Sequence, residues 1–135
     1  KDDIMARAIC QAVMEIDREM ILVVLAGSPW EKVARHMGVR IAREAFVDRA
    51  VNLDGSLVNR TLPGSMIVDP DEVVQRSLQI VTTGTATTIS GEDIPVQADT
   101  LCLHGDSPGT VELASKVRTQ LAQAGVEIAP MGSFL

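Results

Sequence analysis

Met20-Ile-Leu-Val-Val-Leu-Ala-Gly-Ser-Pro-Trp-Glu31 carries an aliphatic run straight into a helix start. A continuous β-branched and aliphatic stretch such as Met20 to Leu25 suits a parallel strand covered on both faces. Ser28, Pro29 and Glu31 then supply an N-cap, a proline at the first helical position and an acid at the third. The helix they open is expected to stop at Gly38. Upstream, Ile4, Ala8, Ile9, Ala12, Val13 and Ile16 recur at helical spacing behind Asp2 or Asp3 as caps, which predicts an amphipathic helix.

Downstream, Val39 to Val47 reads as a second strand, and Asp54-Gly55 as a turn between Val51 and Leu57. Asp69-Pro-Asp-Glu72 predicts another capped helix with Val74, Leu78 and Val81 on one face, ending near Gly84. Ser90-Gly91 lies between the β-prone runs Thr85 to Ile89 and Ile94 to Val96, a small hairpin. Thr100-Leu-Cys-Leu103 is a third core strand. Ser107-Pro108 is expected to open a helix with Leu113, Ala114, Val117 and Leu121 inward, and 126–129 reads as a short last strand.

Alternating strands and helices imply parallel pairing through right-handed crossovers, in an open doubly wound sheet or a closed barrel. Leu25-Ala-Gly-Ser-Pro-Trp30 has neither the dinucleotide fingerprint nor the Walker spacing, which weakens a nucleotide-binding open sheet. Three long strands and a terminal one are too few to close a barrel of about eight. The expectation is therefore α/β: parallel strand-helix units forming part of a barrel, with a small β-hairpin, as one domain over 1–135.

The bulk composition excludes several function classes. A 46% hydrophobic content in 135 residues is enough for a core, which argues against disorder. Met20 to Ala26 is far shorter than the roughly 20 residues that cross a bilayer, so no membrane partner is expected. A net charge of −6 and only Phe46, Phe134 and Trp30 as aromatics argue against nucleic acid. Cys10 and Cys102 each lie in an apolar segment, as buried thiols of a reducing compartment do, and a cytoplasmic location is expected. The chain opens at Lys1 without Met, so the natural polypeptide is expected to start earlier.

Ligands gather at the carboxyl ends of parallel strands, and two such ends are unusually polar. In Arg43-Glu-Ala-Phe-Val-Asp-Arg49, a period of two puts Glu44, Phe46 and Asp48 on one face and Arg43, Val47 and Arg49 on the other. Those charges must be paired, solvated or bound to a ligand. An ion-pair network of Arg43 or Arg49 with Glu44 or Asp48 is the structural reading. In Leu103-His-Gly-Asp-Ser-Pro108, a strand ends in His104 and turns through Gly105, which permits close backbone approach to a ligand. His104 with Asp106 suits acid-base work or metal ligation. A histidine merely hydrogen-bonded in place is the alternative. His36 complements a helix end, Cys102 is expected to be inert, and no complete metal site can be assembled.

These segments resemble the LamB/YcsF family. The resemblance rests on Arg43-Glu-Ala-Phe-Val-Asp-Arg49, the Asp54-Gly-Ser-Leu57 turn and Val96-Gln-Ala-Asp-Thr-Leu-Cys-Leu-His-Gly-Asp106, in matching order from about Leu22 to Ala129. It covers the family's C-terminal half, without the earlier Lys-Pro-His-Gly segment. It implies a distorted (β/α) barrel of the glycoside hydrolase/deacetylase type. It also implies the role of the 5-oxoprolinase A-type polypeptide, the ATP-dependent opening of 5-oxo-L-proline to L-glutamate with partner subunits B and C. Such a lactam carries a carboxylate and an unreactive amide. Arg43 or Arg49 is accordingly expected to bind the carboxylate, His104 with Asp106 to transfer protons, and Glu44 or Asp48 to orient water or an arginine. ATP would be held by partner subunits or by the absent half. The alternatives are a metal-dependent deacetylase or amidohydrolase, and a non-catalytic scaffold of the complex. A half-barrel would also leave strand edges uncovered, so association with the missing segment or a second copy is expected.

Overall fold

A computed structural model describes residues 2–105 and 108–135. Helix α1 (Asp2–Ile16) leads to β1 (Leu22–Leu25), α2 (Pro29–Met37) and β2 (Ile41–Phe46). After a long excursion come α3 (Pro70–Thr83), the hairpin β3 (Thr85–Thr87) and β4 (Asp93–Pro95), β5 (Thr100–Cys102) and α4 (Thr110–Gln123). A 3-10 turn at Met131–Ser133 ends the chain. No helix among the described residues is long and apolar enough to cross a membrane.

The local signals for α2 and α3 act as their chemistry dictates. Ser28 Oγ accepts from Glu31 N–H, and the Glu31 carboxylate reaches back to Gly27 N–H at 2.7 Å. The capping box is thus closed one residue earlier than the usual pattern. Asp69 accepts from Asp71 and Glu72 N–H, and Gly84, at φ 68°, ends α3 in the left-handed conformation that only glycine adopts freely.

Strands β1, β2 and β5 form a parallel sheet with β2 in the centre. Leu25 pairs with Glu44, Glu44 with Thr100 and Phe46 with Cys102. Partners in register share a face. Leu22, Ile41, Ala45, Val47, Leu101 and Leu103 therefore point one way, and Val23, Leu25, Ala42, Glu44, Phe46, Thr100 and Cys102 the other. The first set packs on helices: Leu22 and Ile41 against Cys10, Val13, Ala34 and Met37, and Ala45 and Val47 against Val73, Val74, Ile80, Val117 and Leu121. None of the second set belongs to either apolar cluster. The sheet has one apolar, helix-covered face and a second face outside those clusters, where Glu44 and Thr100 stand among apolar neighbours and which becomes polar towards its carboxyl end.

Several expectations are corrected. In α1 the buried stripe is Ala6 and Cys10 with Val13 and Met14 beside them, whereas Ile4, Ile9 and Ile16 are exposed. The helix is apolar on two sides, and α2 covers only one. In α3 the inward residues are Val73, Val74, Ser77 and Ile80, with Leu78 alongside, and Val81 faces out. Helix α4 starts at Thr110 behind Gly109, with no side-chain cap, and Ala114 is exposed. The expected cap Ser107 lies outside the described residues. The stretch 126–129 forms no strand: Val126 N–H bonds the Leu121 carbonyl, ending α4, and no ladder follows.

Candidate active site at the ends of β2 and β5

Continuing the register past Phe46 and Cys102 brings Asp48 opposite His104 at the carboxyl ends of adjacent strands. One carboxylate oxygen, Asp48 Oδ2, accepts both the His104 backbone N–H at 2.9 Å and the ring Nδ1–H at 2.7 Å. Asp48 is buried, and its other oxygen, Oδ1, is buried without a hydrogen-bond partner. Phe46, two residues earlier on the same face, stacks on the His104 ring with centroids 5.5 Å apart and planes 21° off parallel. The imidazole is thus held by a backbone contact, a carboxylate and an aromatic face.

A third partner carries no mark in the sequence. Arg60 Nη2 lies 2.9 Å from His104 Nε2. A guanidinium has donors only, so Nε2 must be the acceptor and Nδ1 must carry the proton directed at Asp48. The two flanking groups together fix the Nδ1–H tautomer and leave the Nε2 lone pair facing Arg60. Sequence reasoning misses Arg60 because it lies in the excursion between β2 and α3, in neither strand end. The turn that presents it is built locally. Asn59 Oδ1 accepts from Thr61 N–H and Oγ1, and Ser65 Oγ donates to the Arg60 carbonyl.

The excursion is tied to the sheet by short bridges, Arg49 to Met66 and Val51 to Leu57, the second enclosing the expected Asp54-Gly55 turn. The Asp54 carboxylate lies below its ordinary range because Ser56 donates to it.

Two expected site residues, Arg43 and Arg49, are placed differently from their assigned roles. Arg43 points to the helix-covered face, where its guanidinium bonds Asp99 at 2.6 and 2.8 Å and Gln97 at 2.9 Å. The hydrogen bond to Asp99 raises Arg43 above its usual value despite burial, and the same bond holds the Asp99 carboxyl below the usual carboxylate range. The carboxylate partner is neither Glu44 nor Asp48, and its strand register puts Arg43 on the face opposite His104. Arg49 is buried, donating to the Val58 carbonyl at 2.7 Å and the Ser65 carbonyl at 3.4 Å, so it braces the excursion. Gly105 is exposed with no positive φ, and a Cβ there would meet no protein atom within 4 Å, so the space beside its backbone is open. Asp106 lies outside the described residues, and the carboxylate on His104 is Asp48.

Glu44 shares the second face with Asp48, and Thr100 Oγ1 lies 3.5 Å from its carboxylate. Cys102 is a free thiol on this same face, pushed up by burial and then by the nearby charges of Glu44 and Asp48, so it is a poor nucleophile. Beside Phe46 is a cavity of about 230 Å³, lined also by Leu25, Gly27, Glu44 and Arg76. Arg76 is a second residue that sequence reasoning misses. It is buried, donates Nη1 to the Thr87 carbonyl, and leaves Nε without a partner, and burial lowers its affinity for a proton while Glu72 opposes this.

Among the described residues, no three His, Cys, Asp or Glu side chains gather to hold a metal. The amides opening α2 and α3, where phosphates would bind, are occupied by Ser28, Glu31 and the Asp69 carboxylate, with further acids at Asp71 and Glu72.

Comparison with known proteins agrees with these strand-end segments. Over all 135 residues the chain is 42% identical to the A subunit of the Pyrococcus furiosus 5-oxoprolinase, covering 53% of that protein. It is 45% identical over 124 residues to the corresponding polypeptide of Coprothermobacter proteolyticus, 92% of this chain and 48% of that protein. The chain thus spans about half the length of the curated relatives it matches. The crystal structure of a lactam utilization protein from Thermus thermophilus superposes with a TM-score of 0.86 at 44% identity, covering 95% of this chain and 51% of that one. The LamB/YcsF family profile matches residues 1–135. With its sheet, its strand-end motifs and its sequence all in agreement, the chain belongs to the LamB/YcsF family.

Proposed function

We propose that this chain carries part of the hydrolytic site of a 5-oxoprolinase A-type polypeptide, which opens 5-oxo-L-proline to L-glutamate in an ATP-dependent reaction with partner subunits B and C. The observation that carries the reading is His104, clamped at the carboxyl ends of adjacent parallel strands between Asp48 and a cation. The names borne by the relatives and by the Thermus neighbour supply the substrate class.

Opening the lactam adds water across the C–N bond: oxygen joins the carbonyl carbon, the C–N bond breaks, and the nitrogen leaves with an added proton. His104 performs the proton traffic at Nε2, taking a proton from water and returning it to the leaving nitrogen. Asp48 holds the ring in the tautomer that presents the Nε2 lone pair and stabilises the imidazolium that forms, as a triad carboxylate does. Glu44 orients the water from the same face. ATP would supply the driving force by phosphorylating the amide carbonyl oxygen, with ADP leaving and phosphate then released as the ring opens, and would be held by the partner subunits or by the remainder of the polypeptide. In the whole protein the second face of the sheet lines the interior of a distorted (β/α) barrel of the deacetylase type, and the assembly works in the cytoplasm.

The test is His104→Ala in the full-length protein assembled with its partner subunits. Turnover of 5-oxo-L-proline is expected to fall roughly 100- to 10,000-fold, the usual contribution of a positioned acid-base group, with melting temperature and assembly unchanged. Retained turnover would sink the catalytic assignment and leave a scaffold.

A further inference from the structure

With Arg43 engaged by Asp99 and Arg49 by backbone carbonyls, neither expected arginine is free to take the substrate's carboxylate. Arg60 is exposed, its side-chain partner is an imidazole nitrogen, and no ion pair involving it is found among the described residues. A guanidinium bonds a carboxylate more strongly, and in bidentate fashion, than it bonds an imidazole. It also occupies Nε2, the atom the chemistry needs.

We propose that Arg60 is the carboxylate-binding and specificity-determining residue for the cyclic amino acid, and that capturing the carboxylate draws it off His104 Nε2 and frees the base. This rests on the reading of His104 given above. A lactam bearing a carboxylate on the same small ring requires a cation and a base within one ring's breadth, and Arg60 and His104 are in contact. The Asn59 turn and the Ser65 bond hold the Arg60 backbone, so the side chain swings from a fixed base. A neutral lactam has nothing to draw the guanidinium away and leaves the base masked.

The experiment compares 5-oxo-L-proline with its uncharged carboxamide in the full-length protein assembled with its partner subunits, for wild type, Arg60→Gln and Arg60→Lys. The wild type is expected to favour the acid in kcat/KM. In R60Q, KM for the acid should rise roughly 10- to 100-fold, the loss of a charge-assisted bidentate contact, and the preference for acid over amide should collapse, with R60K intermediate. An unchanged acid-to-amide preference in R60Q overturns the proposal. In ¹⁵N-histidine spectra of the wild type, saturating 5-oxo-L-proline should shift the His104 Nε2 resonance and the carboxamide should not. This decides the matter should R60Q fail to fold, since no shift with the acid overturns the gating. If His104→Ala keeps its activity, the underlying reading fails instead. If H104A is inactive while R60Q keeps its preference, only the Arg60 assignment fails.

Discussion

At the residue scale, Asp48 serves the fold and the site with one oxygen. Oδ2 takes two hydrogen bonds from His104, one backbone and one ring, so the strand end and the tautomer are set together. Asp48→Asn replaces that acceptor with an amide that can present N–H to the ring, which favours the opposite tautomer. Turnover is expected to drop by roughly 10⁴-fold if the pair works as a triad does, while near-UV circular dichroism keeps its wild-type form; unaltered kcat would count against the relay. Arg43 and Asp99 make the contrasting case, an ion pair on the helix-covered face. Because Arg43 depresses the Asp99 carboxyl, its contribution to stability is fully present above the unfolded-state value near 3.8 and is lost as pH falls through the lower folded value. Asp99→Asn should therefore lower the melting temperature at neutral pH and flatten its decline as the pH falls below the unfolded-state value near 3.8, whereas parallel curves for variant and wild type would show the pair to be inert. The pairing of Asp48 with His104 is partly legible in the sequence. Period-two alternation puts Asp48 on the same face as Glu44 and Phe46, and both polar clusters sit at strand ends. Their contact depends on register, which short strands do not reveal, so the sequence does not single out Asp48 as a carboxylate on His104. The role expected of Arg43 fails because its partner, Asp99, lies just before a strand that sequence alone cannot align.

At the element scale, the starts of α2 and α3 are readable because their signals are local, whereas α4 starts at Thr110 behind an uncapped Gly109. Ser28-Pro29 and Asp69-Pro70 each place a capping oxygen, a proline and an acid within one turn, and chemistry of that range survives tertiary packing. Asp69→Ala removes the acceptor for two amides and should cost about 1 kcal/mol, measured by urea unfolding; a change indistinguishable from zero would mean that solvent replaces the cap. The excursion between β2 and α3 is the illegible element. It has no periodic pattern, and its shape depends on a buried arginine reaching carbonyls 9 and 16 residues away. Arg49→Met should leave those carbonyls short of a donor, costing roughly 1–3 kcal/mol, and should loosen the turn that presents Arg60. The expected signature is faster amide exchange confined to 50–66 together with a raised KM for 5-oxo-L-proline. Uniform loss of protection across the sheet would instead mark Arg49 as part of the core.

At the scale of the whole molecule, the one-sided packing decides what this stretch of chain can do alone. Both sheet edges, β1 and β5, lack a further strand among the described residues. Val23, on the face that the helices leave uncovered, is 41% exposed, and Ile4 and Ile16 on α1 are 75% and 77% exposed. Unpaired edge amides beside apolar side chains are a template for association. The α/β order and parallel pairing follow from hydrophobic periodicity, but which face is covered does not, since a strand apolar on both sides is silent on how many layers surround it. The 135-residue chain, expressed by itself, is therefore expected to self-associate and to bind a hydrophobic dye. The full-length protein should bind less dye per chain, with the second face of the sheet enclosed around Asp48 and His104. Sedimentation of the 135-residue chain would separate the possibilities. A monodisperse monomer with no dye binding would mean that the edges and the α1 face are tolerated as they stand, and that closing the second face of the sheet is a requirement of catalysis alone, not of folding.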